Sequence, residues 1–250
     1  MMRHGVLIYC FDTAQVAYHR MANRSMALVS KHLQLPITVV TNEHTLAAWS
    51  NRPQAEYILV DNAMNNTKLG LPWHNLERCL AFDHTPYDRT IVIDADYLCF
   101  SDKLLRLCQS AQDFLIHDRA HDVSYRQSMA YERKSMLPLV WATVLIFSKT
   151  ARVRRIFDAV KMIRQNYNHF CNLYRIDYKY FRNDYAFAMA LNQMNGYHRY
   201  DTIPDSIATL PSDCAVLELT DNGMKYRHLN SINSLQGQDV HVLNKELANV

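Results

Sequence analysis

The stretch Arg89-Thr90-Ile91-Val92-Ile93-Asp94-Ala95-Asp96 carries the strongest structural signal in this chain. Its apolar run predicts a buried β-strand, and the two aspartates follow at positions i and i+2, which side-chain alternation places on the same side of the chain. Two carboxylates held close together repel each other unless a cation lies between them. The spacing therefore predicts a divalent metal held against the phosphates of a nucleotide. The alternative is a solvated Asp-x-Asp turn that only ends the strand.

The scarcity of glycine gives the aspartate pair more weight. The chain has five glycines, and it contains neither a G-x-G-x-x-G nor a G-x-x-x-x-G-K-[ST] sequence. Backbone amides presented by a glycine-rich loop are therefore largely excluded as a phosphate site. If the protein binds a nucleotide diphosphate, metal and side chains must neutralise its charge.

Strand-like and helix-like segments alternate through the first half of the chain. Strands are predicted at 6–11, 37–40, 57–60 and 91–93, and helices at 14–33, 45–50 and 76–82. This alternation predicts an α/β fold with a mostly parallel, mixed sheet and helices on both faces. Ligands of such sheets bind beyond the carboxyl ends of the strands, so residues 9–12, 41–43, 61–62 and 94–96 should face one crevice.

The second half is less regular. Strands are predicted at 114–117, 139–147, 215–219 and 239–243, and a long helix at 151–169. Asn183 and Asp184 can cap a further helix. No linker or repeat interrupts the chain, so residues 1–250 are interpreted as one domain, with residues 1–100 as the nucleotide-binding half and 101–250 as the acceptor side.

Composition limits the class of protein. The chain has 250 residues and a net charge of +3, which is too small to indicate nucleic-acid binding by itself. Nine basic residues and two acidic ones lie between Lys149 and Arg182, which fits either the wet face of an amphipathic helix or a surface for a polyanion. The six scattered cysteines match no zinc spacing and predict reduced, buried thiols. The first apolar run is too short for an export signal or a membrane span, so a cytoplasmic protein is expected.

Five segments, in order, resemble the GT-A superfamily of nucleotide-diphospho-sugar glycosyltransferases, and glycogenin-like members in particular. Thr85–Asp96 is similar to that superfamily's S/T-P-Y/F-(D/E)-x-T-hydrophobic-D-x-D run. In the third segment, Trp141–Phe147, Trp141 and Thr143 stand where glycogenin-like members have Asn and Gly. The remaining segments are the second strand with its turn, a helix near the acceptor site, and a C-terminal His/Lys segment: Pro36–Asn42, Arg182–Leu191 and His241–Lys245. The resemblance implies a single GT-A domain.

The resemblance also implies a set of site residues. Asp96 and His241 would ligate Mn²⁺ or Mg²⁺, Asp94 would bind the metal or the ribose, and Lys245 would meet the diphosphate. The donor would be an NDP-sugar, most simply a UDP-sugar, and the glycogenin-like character points to retention of anomeric configuration.

Other residues have two interpretations each. Tyr9, Phe11 and Asp12 follow the first strand and would contact the base, although Tyr9 and Phe11 could equally be core; Asn42 has the same base-binding expectation. Arg78 would reach a donor phosphate or form a surface ion pair. Asp184, with Asn183, would act on the acceptor as a general base or orienting group, or would only stabilise a helix terminus. Trp73 and His74 lie on an Asn-rich loop and would serve either recognition or packing.

The functional expectation is a metal-dependent hexosyl- or pentosyltransferase acting on a hydroxyl acceptor. Hydroxymethylated DNA is one acceptor that the basic segment suggests, and a protein or glycan is another. The alternatives are a nucleotidylyltransferase of related fold, which usually carries a glycine-rich loop after its first strand, and a catalytically silent module that binds a sugar nucleotide.

Overall fold

The computed structural model describes residues 2–61, 67–68, 71–72, 77–124, 137–177 and 180–249. Trp73, His74 and Asn62 lie outside the described residues. The described strands are β1 (His4–Tyr9), β2 (Ile37–Thr41), β3 (Glu56–Leu59), β4 (Thr67–Lys68), β5 (Leu71–Pro72), β6 (Arg89–Asp94), β7 (Tyr97–Leu98), β8 (Phe114–His117), β9 (Ala120–Asp122), β10 (Trp141–Ser148), β11 (Ile207–Leu210), β12 (Ala215–Thr220), β13 (Gly223–His228), β14 (Ser231–Gln236) and β15 (Val240–Val242). The helices are α1 (Tyr18–His32), α2 (Glu43–Ala48), α3 (Ala81–His84), α4 (Lys103–Cys108), α5 (Ala151–Gln165), α6 (Tyr167–Leu173) and α7 (Asn183–Met194), with 3₁₀ turns at Glu77–Leu80 and Lys245–Asn249.

The central sheet has six strands in the order β3-β2-β1-β6-β10-β8. β3, β2, β1 and β6 run parallel, whereas β10 runs antiparallel to both β6 and β8. Tyr9 pairs with Asp94, and Thr41 pairs with Leu59. The carboxyl ends of the four parallel strands therefore lie along one edge, as the alternation of strands and helices predicts.

Both faces of this sheet are buried, which is why its strands are apolar throughout rather than alternating. In β1, Leu7 belongs to a core that includes residues of α5 and α7, and Val6 and Ile8 belong to a second core that includes residues of α1 and α4. Helices therefore cover both faces, and the predicted mixed α/β sheet is confirmed.

A second sheet has four strands in the order β7-β15-β11-β9. β6 ends at Asp94, the chain turns at residues 95–96, and β7 pairs antiparallel with β15 so that Tyr97 lies opposite His241. This sheet carries a distant part of the chain to the aspartate pair. β12, β13 and β14 form a separate antiparallel meander.

Several local predictions need correction. The helix predicted at 151–169 breaks at Asn166 into α5 and α6. Of the segment predicted as one helix at 76–82, residue 76 lies outside the described residues, and the rest is the 3₁₀ turn Glu77–Leu80 followed by the start of α3. Asn183 does not cap α7, because Arg182 takes the cap position and makes no side-chain cap bond, while Asn183 is the first helical residue. α1 begins at Tyr18 rather than at residue 14. The six cysteines are buried and none forms a disulfide, as predicted.

Candidate metal and nucleotide site

Asp94, Asp96 and His241 converge at the carboxyl edge of the central sheet. Their ligand atoms all lie within 4.8 Å of one another. His241 Nε2 is 3.3 Å from Asp96 Oδ1 and 3.9 Å from Asp94 Oδ2. The turn that follows β6 holds the two aspartates together, and the backbone N–H of Val242 donates to the carbonyl of Asp96 at 2.9 Å, which ties β15 to that turn.

Thr143 of β10 also lies beside this cluster, one residue before Val144, which pairs with Ile93 of β6. The pairing of β10 with β8 shifts register between Trp141 and Leu145, so the alternation of side chains along the strand is interrupted there. Thr143 Oγ1 lies 3.3 Å from His241 Nδ1. Because this contact engages Nδ1, the ring presents Nε2 to the carboxylates, which is the orientation that a metal-ligating histidine needs.

These residues fit a divalent cation. Two carboxylates and one imidazole nitrogen form a mixed oxygen and nitrogen donor set, which suits a divalent cation such as Mn²⁺ or Mg²⁺. Asp96 and His241 are buried, and Asp94 is partly buried, so the cluster has one accessible side. Among the described residues, it is the one group of three acidic, histidine or cysteine side chains close enough together to share an ion.

Lys245 supplies positive charge beside Asp96. Its ammonium group pairs with Asp96 Oδ2 and lies 5.5 Å from the centre of the Tyr18 ring. Burial alone would raise the pKa of Asp96, but the neighbouring Lys245 and His241 outweigh it and hold that pKa well below its usual range. Burial would likewise lower the pKa of Lys245, but Asp96 and Tyr18 raise it instead. Asp96 is therefore an ionised carboxylate.

Arg78 supplies positive charge beside Asp94. The guanidinium group pairs with Asp94 Oδ1 and donates a hydrogen bond to the carbonyl of Ala142. The Arg78 side chain is 11% exposed and that of Asp94 is 26% exposed, so the predicted ion pair exists, but it is partly buried rather than on the surface. Burial lowers the pKa of Arg78, although Asp184, Tyr9 and Asp96 act to raise it.

Asp184 is anchored on both oxygens. Oδ1 accepts a hydrogen bond from the backbone N–H of Ala142 at 2.8 Å, and Oδ2 accepts from Nε and Nη2 of Arg182 at 3.1 and 2.8 Å. Ala142 is therefore held from two sides, by Arg78 on its carbonyl and by Asp184 on its amide. These contacts connect the start of α7 to the start of β10, next to Thr143.

The residues expected to bind the nucleotide base make contacts within the protein. Tyr9 and Phe11 are both buried in the core that includes α5 and α7, and the Tyr9 hydroxyl lies 3.1 Å from His84 Nδ1. Asp12 accepts from the backbone N–H of His19 at 2.9 Å and lies 2.5 Å from its ring Nδ1.

Asn42 caps α2 by accepting from the backbone N–H of Thr45 at 2.9 Å. These four positions lie at the expected edge, with local structural contacts, and their contact with a base stays a prediction.

Most of the basic segment at 149–182 is paired within the protein. Arg152 contacts Asp113, both Arg154 and Lys161 contact Asp83, and Arg182 contacts Asp184. Lys149 donates to the carbonyl of Thr85, and Arg164 donates to Cys79 Sγ. The segment is thus largely an ion-paired helix surface, which is the simpler of its two interpretations.

Thr143, Ala142 and Arg182 were not predicted as site residues. A bulge leaves no pattern in a strand of apolar residues, and a backbone N–H carries no signal in the side-chain sequence. Arg182 had one clue, since it lies two residues before Asp184, within reach of its carboxylate.

No family model matches this chain, and no curated protein does. Solved structures do match. The glycosyltransferase GlyE of Streptococcus pneumoniae TIGR4 is 13% identical, with 82% of this chain and 46% of that chain covered and a TM-score of 0.46. The galactosyltransferase LgtC, in complex with donor and acceptor sugar analogs, is 16% identical, with 75% and 70% covered and a TM-score of 0.48. A glucose-1-phosphate thymidylyltransferase from Bacillus anthracis is 12% identical, with 77% and 94% covered and a TM-score of 0.40.

The chain therefore spans less than half the length of GlyE. Among the described helices, none has both the length and the apolar character needed to span a bilayer.

Proposed function

We propose that this protein is a metal-dependent glycosyltransferase that moves a sugar from an NDP-sugar, most simply a UDP-sugar, to a hydroxyl acceptor. The observation that carries the proposal is the convergence of Asp94, Asp96 and His241 within 4.8 Å at the carboxyl edge of the parallel strands. That edge is where open α/β sheets bind nucleotides. The absence of a glycine-rich phosphate loop from the sequence supports a site in which metal and side chains neutralise the diphosphate.

Asp94, Asp96 and His241 would hold Mn²⁺ or Mg²⁺, which would stabilise the negative charge that develops on the leaving diphosphate. Lys245, already beside Asp96, would add a point charge to the same diphosphate. Arg78 would keep Asp94 oriented and could extend a guanidinium donor toward the sugar phosphate.

Asp184 fits an orienting role better than proton transfer in this arrangement. Both of its oxygens already accept hydrogen bonds, one from Ala142 and the other from Arg182. It would fix the wall beside the metal cluster, while Arg182 would face the acceptor side. Tyr9, Phe11, Asp12 and Asn42 would shape the base end of the crevice.

A thermal-shift panel tests the class of activity. UDP-, GDP-, ADP- and CDP-sugars are each added with Mn²⁺, with Mg²⁺, or with a chelator. Selective binding to the folded state raises the melting temperature by mass action, so one donor family should stabilise the protein only when metal is present. Release of nucleoside diphosphate from that donor would then distinguish a glycosyltransferase from a silent module, and release of pyrophosphate from a sugar phosphate and NTP would identify a nucleotidylyltransferase.

The acceptor needs its own experiment, because the basic segment gives limited support to DNA. Hydroxymethylated duplex DNA, unmodified DNA and a panel of glycans are tested for transfer from the donor identified above. If DNA is the acceptor, transfer should be confined to the hydroxymethylated duplex, and binding should weaken steeply with salt. Transfer to a glycan with no salt-sensitive DNA binding would exclude DNA.

A further inference from the structure

Each carboxylate of the metal cluster divides its two oxygens between a cation of the protein and the His241 imidazole. Oδ2 of Asp96 pairs with Lys245, while Oδ1 lies 3.3 Å from His241 Nε2. Oδ1 of Asp94 pairs with Arg78, while Oδ2 lies 3.9 Å from the same nitrogen. Among the described residues, no lysine or arginine pairs with the two oxygens that face the imidazole, so these oxygens and Nε2 are the donor atoms that remain for an ion.

The charges of the four charged side chains cancel. Two carboxylates are matched by one ammonium group and one guanidinium group. Asp184 and Arg182, which lie beside the cluster, pair with each other at 2.8 Å and so add no net charge. A divalent cation that binds alone would therefore bring its full charge to a cluster that is already neutral. Repulsion from the ammonium and guanidinium groups opposes such binding, and burial strengthens that repulsion because it lowers the local dielectric constant.

A nucleoside diphosphate would change this balance. Its phosphates are negatively charged, so they offset the charge of the ion and can accept charge-assisted hydrogen bonds from an ammonium group. The Lys245 side chain is 35% exposed, which leaves part of it accessible to a ligand. Arg78 is 11% exposed and is held by its bond to the Ala142 carbonyl, so it stays beside Asp94.

We propose that Lys245 and Arg78 keep the affinity of the cluster for a divalent cation low unless a nucleoside diphosphate is also bound, so that ion and diphosphate bind as a pair. The inference rests on the proposed transfer function, because it assigns the ion and the diphosphate to one site. By linkage, each of the two ligands then strengthens binding of the other by the same factor. The two cations thus set the affinity of the metal site, in addition to any contact that Lys245 makes with a phosphate.

Binding of Mn²⁺ alone to the full chain tests this proposal, with free Mn²⁺ quantified by its electron paramagnetic resonance signal. Lys245→Gln removes the charge but keeps an amide donor for Asp96 Oδ2, and it should strengthen Mn²⁺ binding about tenfold or more. Lys245→Arg keeps the charge and should bind Mn²⁺ as wild type does. A side chain that only supported the structure would weaken ion binding when replaced, so the direction of the change separates the two roles.

Two further variants complete this measurement. Lys245→Met removes the same charge without an amide and should also strengthen Mn²⁺ binding, which keeps the test valid if Lys245→Gln fails to fold. Lys161→Gln is the matched control, because Lys161 pairs with Asp83 and Asp158 rather than with the metal cluster. It lowers the net charge of the protein equally and should leave Mn²⁺ binding unchanged.

Calorimetric titration of the Mn²⁺–UDP complex measures the coupling between the two ligands. Wild type should bind the complex much more tightly than it binds Mn²⁺ alone. Lys245→Gln should bind the complex no more tightly than wild type does, so the ratio of the two affinities should fall about tenfold or more in the variant.

The outcomes separate this inference from the proposed function. If wild type binds the Mn²⁺–UDP complex, but Lys245→Gln and Lys245→Met bind Mn²⁺ alone no more tightly than wild type does, the inference is overturned and the proposed function stands. Equally tight binding of Mn²⁺ by wild type with and without UDP would have the same meaning. If none of these proteins binds Mn²⁺, with or without UDP, both the inference and the proposed function are overturned.

Discussion

Thr143 Oγ1 and Asp96 Oδ1 lie on opposite sides of the His241 ring, each 3.3 Å from one of its nitrogens. His241 is thus held in one orientation by a residue from β10, a strand that shares no sequence neighbourhood with either β6 or β15. β10 pairs with β6 in regular antiparallel register from Val144 opposite Ile93 onward, so Thr143, the next residue along β10, lies beside the end of β6 at Asp94. Three separate parts of the chain therefore fix the orientation of the His241 imidazole.

Arg78 should be the most stability-sensitive charge in the site. Arg78→Met removes the cation from Asp94 and the donor from the Ala142 carbonyl, so we expect the free energy of unfolding to fall by about 3–5 kcal/mol. Denaturant unfolding of metal-free protein measures this. Arg106→Met is the control, because Arg106 pairs with Asp102 on the surface, with both side chains more than half exposed, and its loss should cost less than about 1 kcal/mol. Equal, small losses in the two variants would contradict a buried pairing role for Arg78.

Two substitutions separate the structural contribution of Asp184 from its chemical contribution. Asp184→Asn keeps an oxygen for the Ala142 N–H, whereas Asp184→Ala leaves that N–H without its partner and should lower stability by about 1–3 kcal/mol. If Asp184 only orients its neighbours, transfer activity should follow stability, with Asp184→Asn retaining clearly more activity than Asp184→Ala. A fully stable Asp184→Asn that is as inactive as Asp184→Ala would instead identify direct chemistry at the carboxylate.

His117 should make stability fall at mildly acidic pH. Its pKa is lowered to about 4 by burial, so between that value and the ordinary 6.5 the unfolded chain binds the proton that the folded protein excludes. Stability is present above pH 6.5 and is lost as pH falls, by up to about 3 kcal/mol at pH 4. His117→Asn keeps a donor for the Asp205 carbonyl but removes the imidazole. As the pH falls from 6.5 to 4, the melting temperature of the variant should therefore fall less than that of wild type. A parallel pH dependence of stability in His117→Asn and wild type would contradict the assignment.

Gly5 is required by close packing between β1 and Tyr87. A Cβ at position 5 would lie 2.3 Å from the Tyr87 ring, whose hydroxyl is hydrogen-bonded to Thr38 Oγ1 at 2.8 Å. Gly5→Ala should therefore lower the free energy of unfolding by about 1–3 kcal/mol or more, measured by denaturant titration. In a Tyr87→Ala background the same substitution should cost much less, because the clash is gone. An equal cost in both backgrounds would show that the ring is not the obstacle.

The central strands were predictable because burial on both faces demands continuous apolar runs. The strands predicted at 37–40, 91–93 and 114–117 each coincide with all or part of an observed strand. The aspartate pair was placed at the carboxyl end of the strand predicted at 91–93. The alignment of the carboxyl ends follows from parallel pairing, which alternating strands and helices make nearly obligatory.

The short strands and the network around Asp184 were not predictable in the same way. β7 has two residues and β15 has three, which is too few to display a period. His241 was found through the resemblance alone, and its contact with Thr143 joins two distant segments of the chain. The break at Asn166 escaped detection because Ile163 and Tyr167 keep the apolar spacing across it, even though they lie on two helices. Pairing of the basic segment with Asp83 and Asp113 depends on tertiary contacts that a charge count does not contain.

Calorimetric titration of UDP into the protein, with Mn²⁺ and with a chelator, tests the metal site most directly. Wild type should bind one UDP per chain only when Mn²⁺ is present, and both Asp96→Asn and His241→Gln should weaken that binding by about a hundredfold, since each removes a ligand to the ion. Asp158→Asn, on the exposed side of α5, should bind as wild type does. UDP binding that is the same with chelator as with Mn²⁺, or that survives unchanged in both site variants, would contradict a cation held by Asp94, Asp96 and His241.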